Sequence, residues 1–148
     1  MPERCTTGDE KIHLVDTSAW IAPADKSDQN HHRAQTYYEQ QIKPHSIQLL
    51  TSDYVLDETL TLNRYRMGLT YARTFWQSVR QARDHGSLSI THVTEEVWLD
   101  ALTLFFRYYD QQFSFTDCTS FVLLARVPVD AVFSFDKDFL IAGFSIQP

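Results

Sequence analysis

Short apolar runs alternate along the chain with longer stretches of helical periodicity. IHLVD (12–16), SIQLL (46–50), SLSITHV (87–93) and AVFSFD (131–136) read as strands, with a short last strand near 144–146. Residues 17–43 carry Ala, Trp and Tyr among polar positions and predict a helical segment, punctuated by Pro23 and Pro44. Thr51, Ser52 and Asp53 offer N-caps to a helix running to about Met67, with Gly68 as its stop. A further helix spans 70–84 and closes at His85-Gly86. Thr94, followed by Glu95 and Glu96, opens one that reaches about Asp110. FSFTDCTSFVLL (113–124) leads into a helix over 116–127 that is apolar almost all round, apart from Asp117. Strands that alternate with helices predict an α/β fold, its parallel sheet covered on both faces. Residues 1–11 are polar and predict a flexible tail, leaving 12–148 as one domain.

The polar exceptions to this pattern carry the chemistry. Two of the strands end in aspartate, Asp16 and Asp136, and in an open α/β sheet the ligand crevice lies beyond the carboxyl ends of the strands. Either one alone reads first as a helix N-cap after a strand. In VLDETLTLNRYR (55–66), Val55, Leu56, Thr59 and Leu62 form one broad helical face; Glu58 lies at its edge and Asp57 points away. Glu58 alone fits a rim residue reaching for solvent. Asp117 shares a face with Ser120, Phe121 and Leu124, which should be buried. Ser114-x-x-Asp117 resembles a capping box, which explains an acid in a first turn. An unpaired carboxylate in apolar surroundings nevertheless costs several kcal/mol. Asp16, Glu58, Asp117 and Asp136 thus head for one region, with no buried Lys or Arg to match them. Crowded carboxylates repel unless a cation holds them. Oxygen ligands without a thiolate or histidine cluster select a hard divalent ion, Mg2+ or Mn2+.

Composition narrows the classes. The net charge of −6 speaks against a generic nucleic-acid binder unless bound cations neutralise some of the acids. Basic residues are clumped instead, Arg64, Arg66, Arg73, Arg80 and Arg83 falling within 20 positions. Four glycines are too few for a Gly-rich nucleotide loop. Cys5 and Cys118 predict neither a disulfide nor a zinc site. With no apolar run long enough for a signal peptide or a membrane span, the expectation is a cytoplasmic protein. Trp20 and Tyr37 could stack bases, but core packing is the default for an aromatic.

LVDTSAW, VLDETLTL, FSFTDCTSFVLL and VFSFDKDF followed by Gly143-Phe144 together resemble the PIN domain family, and within it the VapC-type ribonucleases of toxin–antitoxin pairs. The resemblance spans about residues 12–146. It implies a three-layer α/β/α sandwich with a central parallel sheet of four to five strands, and metal-dependent hydrolysis of RNA phosphodiester bonds. It maps the acids that bind Mg2+ or Mn2+ to Asp16, Glu58, Asp117 and Asp136, with Ser18 and Thr116 as supporting hydroxyls. Asp138 is an extra acid whose membership of the site is left open. A homodimer and a cognate antitoxin are the partners such a toxin implies. Two alternatives remain at this point: a catalytically silent PIN-fold binding module, and an RNA-processing nuclease outside a toxin pair. A haloacid-dehalogenase-like phosphatase is excluded because Asp16 is followed by Thr17-Ser18, with no second acid two residues on.

Overall fold

A computed structural model describes residues 10–148, so most of the expected tail lies outside the described residues. Five strands, β1 (Ile12–Val15), β2 (Gln48–Ser52), β3 (Leu88–Thr91), β4 (Ala131–Phe133) and β5 (Ile146–Gln147), form one sheet in the order β3-β2-β1-β4-β5. Every neighbouring pair is parallel, with Leu14 of β1 opposite Leu50 of β2 and Val132 of β4. Seven helices connect them: α1 (Thr17–Ile21), α2 (His31–Tyr37), α3 (Asp53–Met67), α4 (Leu69–Asp84), α5 (Glu95–Arg107), α6 (Phe115–Arg126) and α7 (Asp138–Ile141).

The strands are apolar on both faces, and their period of two divides the core in two. Leu14, Leu50 and Val132 pack with Val97, Ala101, Phe121, Val122 and Phe139 from α5, α6 and α7. Their sequence neighbours Val15 and Phe133 point the other way, onto Ala19, Ala34 and Tyr37 of α1 and α2. Beside that second cluster, Leu56 of α3 and Phe75 and Val79 of α4 close over Leu88. The result is the expected sandwich of helices, sheet and helices. Trp20 and Tyr37 belong to it: Trp20 packs edge-on against Phe75 and donates to Thr51 Oγ1 at 3.3 Å, and the Tyr37 hydroxyl meets His13 Nδ1 at 3.2 Å.

Two elements differ from the pattern read above. The helical stretch expected over 17–43 is interrupted between α1 and α2. After Pro23, the carboxylates of Asp25 and Asp28 accept from the amides of Ser27 (2.9 Å) and Asn30 (2.8 Å), so side chains take amides that a helix would use. α2 then runs on into one π-helical turn, Tyr38–Ile42. The strand expected over 131–136 stops at Phe133. Ser134 N still donates to the Gln147 carbonyl at 3.0 Å, and the two amides after it turn to hydroxyls: Phe135 N donates to Ser18 Oγ and Asp136 N to Ser134 Oγ, each at 3.0 Å.

Candidate active site

β1 lies at the middle of the sheet, and the chain departs to opposite sides of it through β2 and β4. Such a reversal opens a crevice at the carboxyl ends of the strands. A cleft of about 240 Å³ lies there, lined by Asp16, Thr17, Ser18, Ile21, Asp28, Glu58, Leu62, Arg66, Asp117 and Asp136. All four acids singled out from the sequence are therefore brought together. A larger apolar groove of about 860 Å³ runs between α2 and α4, but none of these acids lines it.

Each acid is delivered by a separate element. Asp16 follows β1 directly and is buried; its amide continues the ladder by donating to the Phe133 carbonyl at 3.1 Å. Ser18 Oγ and Ser134 Oγ both donate to Asp16 Oδ2, at 3.1 and 3.0 Å, and the two hydroxyls lie 3.2 Å apart. Asp117 is the N3 residue of α6. It closes a capping box: its amide donates to Ser114 Oγ at 2.9 Å, and its Oδ2 accepts from Ser114 N at 3.1 Å. The structural and chemical readings of Asp117 are thus compatible, since the cap fixes the carboxylate while its position in the first turn keeps it in the cleft. Glu58 reaches in from α3, half-buried, while Asp57 beside it is exposed.

Asp136 lies in the short loop before α7, where its Oδ1 accepts from Asp138 N at 2.9 Å. Carboxylate oxygens of Asp117, Asp136 and Asp138 all fall within 4.8 Å of one another. Asp138 thus joins the cluster. Among the described residues, no Lys or Arg forms a salt bridge with Asp16, Glu58, Asp117, Asp136 or Asp138. Burial pushes the Asp16 carboxyl up to about 6, against the lowering effect of the Thr17 amide and the two serine hydroxyls. Burial first and the Asp16 charge second push Asp117 up to about 7. Asp138 is raised by burial and by the charge of Asp136. The donor set is all oxygen, and among the described residues none of its carboxylates is paired with a Lys or Arg. It fits a hard divalent cation.

Of the supporting hydroxyls, Ser18 is in place. Thr116 does not line the cleft; its carbonyl accepts from Thr119 Oγ1 at 2.6 Å. Ser134 was not singled out by sequence reasoning, although it is fully buried and holds Asp16. FSFDKDF places a serine two residues before the strand-end acid, but only the fold brings it 3.2 Å from Ser18. Of the clumped arginines, Arg66 lines the cleft; Arg83 lies far along α4, paired with its neighbour Asp84.

The PIN domain model matches residues 13–144. This chain belongs to the PIN domain family. The VapC-type likeness read from its four motifs holds as well. The chain is 32% identical over 131 residues to the 23S rRNA-specific endonuclease VapC20 of Mycobacterium tuberculosis, in strains CDC 1551 and H37Rv, covering 88% of this chain and 94% of the relative. The crystal structure of M. tuberculosis VapC20, described as a sarcin-ricin loop cleaving toxin, superposes with a TM-score of 0.80 and 29% identity, covering 93% of this chain and 100% of that one. The five-stranded parallel sheet is therefore the PIN sheet. No helix among the described residues is long and apolar enough to cross a membrane.

Proposed function

We propose that the acid cleft hydrolyses RNA phosphodiester bonds with Mg2+ or Mn2+ held by Asp16, Asp117, Asp136 and Asp138, and that Glu58 acts from the facing wall. Membership of the VapC-type PIN nucleases makes the chain an endoribonuclease. The convergence of five acids, none of them in a salt bridge with a Lys or Arg among the described residues, carries the reading of the site. When bound, the cation acidifies a water and neutralises charge growing on the phosphoryl group. The chain's own part is to hold those oxygens in fixed positions and to admit one backbone phosphate at the mouth of the cleft. Arg66 supports that role. It lies eight residues beyond Glu58 on α3, about 12 Å along the helix axis, and brings positive charge to the edge of an acidic cleft.

The substrate carried over from VapC20, a 23S rRNA-specific endonuclease, is 23S ribosomal RNA. The finer reading includes a cognate antitoxin and a homodimer; Trp98, Leu99 and Phe106 on α5 and Tyr65 and Leu69 at the α3–α4 junction leave apolar surface in solvent for such partners. The test is cleavage of purified ribosomes and of protein-free 23S rRNA by wild type, Asp16→Asn and Asp117→Asn, with Mn2+ and with chelator. Cutting by wild type only, and only with metal, is the expected result. Equal cutting by all three proteins would trace the activity to a contaminant. Metal binding with no cleavage of either RNA would favour the binding module.

A further inference from the structure

We infer that Ser134 is a positioning residue, which ties the Asp16 carboxylate to the Asp136 loop so that the two acids keep one spacing. The inference rests on the metal-dependent reading of the cleft. Ser134 Oγ is fully buried at the end of β4 and has one proton and two lone pairs to place. Its proton goes to Asp16 Oδ2 at 3.0 Å, and one lone pair accepts from Asp136 N at 3.0 Å. One hydroxyl therefore spans two elements that are 118 residues apart in sequence and contacts both acids' residues directly. Ser18 repeats the device one residue earlier, donating to the same Oδ2 at 3.1 Å and accepting from Phe135 N at 3.0 Å. Consecutive amides of the loop thus aim two hydroxyls at one oxygen.

The consequence is rotational. A carboxylate turns easily about its last torsion, so a buried one held by a single donor can trade its two oxygens. Two donors on Oδ2 remove that freedom, and neither hydroxyl reaches Oδ1. The amides that orient Ser134 and Ser18 belong to the loop that carries Asp136, so a shift of the loop would misplace both acids together. Removal of an outer partner of this kind typically weakens metal binding about 10- to 100-fold.

The test measures Mn2+ binding to the full chain by calorimetry, beside thermal melting in chelator and RNA cleavage. Ser134→Ala is expected to lose about 10- to 100-fold in Mn2+ affinity; a smaller loss overturns the inference. Ser134→Thr and Ser134→Val add the same bulk to a closed site and differ in the hydroxyl. Weaker Mn2+ binding in Val than in Thr, at matched melting temperatures, supports the positioning role, and equal binding in the two overturns it. If Ala does not fold, the Thr/Val comparison decides alone. Wild type that binds no Mn2+ would sink the metal reading itself, an outcome distinct from wild type and Ser134→Ala binding equally well.

Discussion

Stripping the protein of divalent ions should leave Asp16 as a buried charge with no cation, and Asp16→Asn should relieve it. The Asp16 carboxyl is raised from 3.8 to about 6, with burial the largest cause. A carboxyl raised on folding costs stability in full above its folded value, and the cost fades as pH falls toward the unfolded value. At pH 7.5 the cost is about 3 kcal/mol, two pH units or slightly more at about 1.4 kcal/mol each. At pH 4.5 about 1 kcal/mol is left. Asp117 acts in the same direction, but the two carboxylates repel one another, so their costs overlap and do not add. His13 works the opposite way: burial lowers its value, so its contribution is lost as pH falls through the range of a free histidine. Comparing wild type with Asp16→Asn at each pH cancels His13. Asparagine keeps a carbonyl oxygen for the Ser18 and Ser134 hydroxyls, sheds the charge and turns the other oxygen into an NH2 donor.

The assay is urea unfolding in chelator from pH 4.5 to 7.5. The advantage of Asp16→Asn over wild type should grow from about 1 to about 3 kcal/mol over that interval. In melting temperature the change is roughly 4–8 °C. Added Mn2+ at pH 7.5 should reverse the order, stabilising wild type and leaving the variant unmoved. An Asp16→Asn protein that is less stable than wild type at pH 7.5 in chelator, or an advantage that ignores pH, would refute the account of Asp16 as a desolvated carboxylate awaiting a cation.

Asp138→Asn should weaken Mn2+ binding by at least about tenfold if the third carboxylate of the trio is used; calorimetry with an unchanged affinity would remove it from the ligand set. Arg66→Ala should raise KM with little change in kcat and reduce the salt slope of RNA binding by about one, and a fall in kcat alone would contradict a phosphate contact. Phe139→Ala deletes a fully buried ring stacked edge-on against Phe121 at 5.2 Å, and denaturant melts should show a loss of about 3–5 kcal/mol.

The sheet was legible because burial on both faces leaves strands as continuous apolar runs, and IHLV and AVF are such runs. Two signals compete where legibility fails. Over 17–43 the Ala, Trp and Tyr positions read as helical, while between α1 and α2 Asp25 and Asp28 took the amides for turns. At the end of β4, VFSFD kept the alternation of a strand, but the hydroxyls of Ser18 and Ser134 outbid the ladder for two amides. In both places a short polar side chain supplies the backbone's partner locally, and hydrophobic period does not register it.

The acids follow a related logic. Asp16, Glu58, Asp117 and Asp136, each ordinary alone as a cap or rim residue, could be picked out because together they head for one region with no buried Lys or Arg to match them. Asp138 breaks none. It opens α7 in a half-exposed position, where an acid in a first turn is ordinary, and only the loop geometry draws its carboxylate toward Asp117 and Asp136. Ser134 is hidden for the opposite reason, since a buried serine at a strand end attracts no notice until its partners are known. Acids that converge on one rim of the sheet can therefore be read along the chain, whereas residues that satisfy their local chemistry become visible only through their contacts in the fold. The Ser134–Asp16 bond is such a contact. It sits where the strand gives way to the loop: Phe135 N donates to Ser18 Oγ and Asp136 N to Ser134 Oγ, the two hydroxyls that hold the other acid.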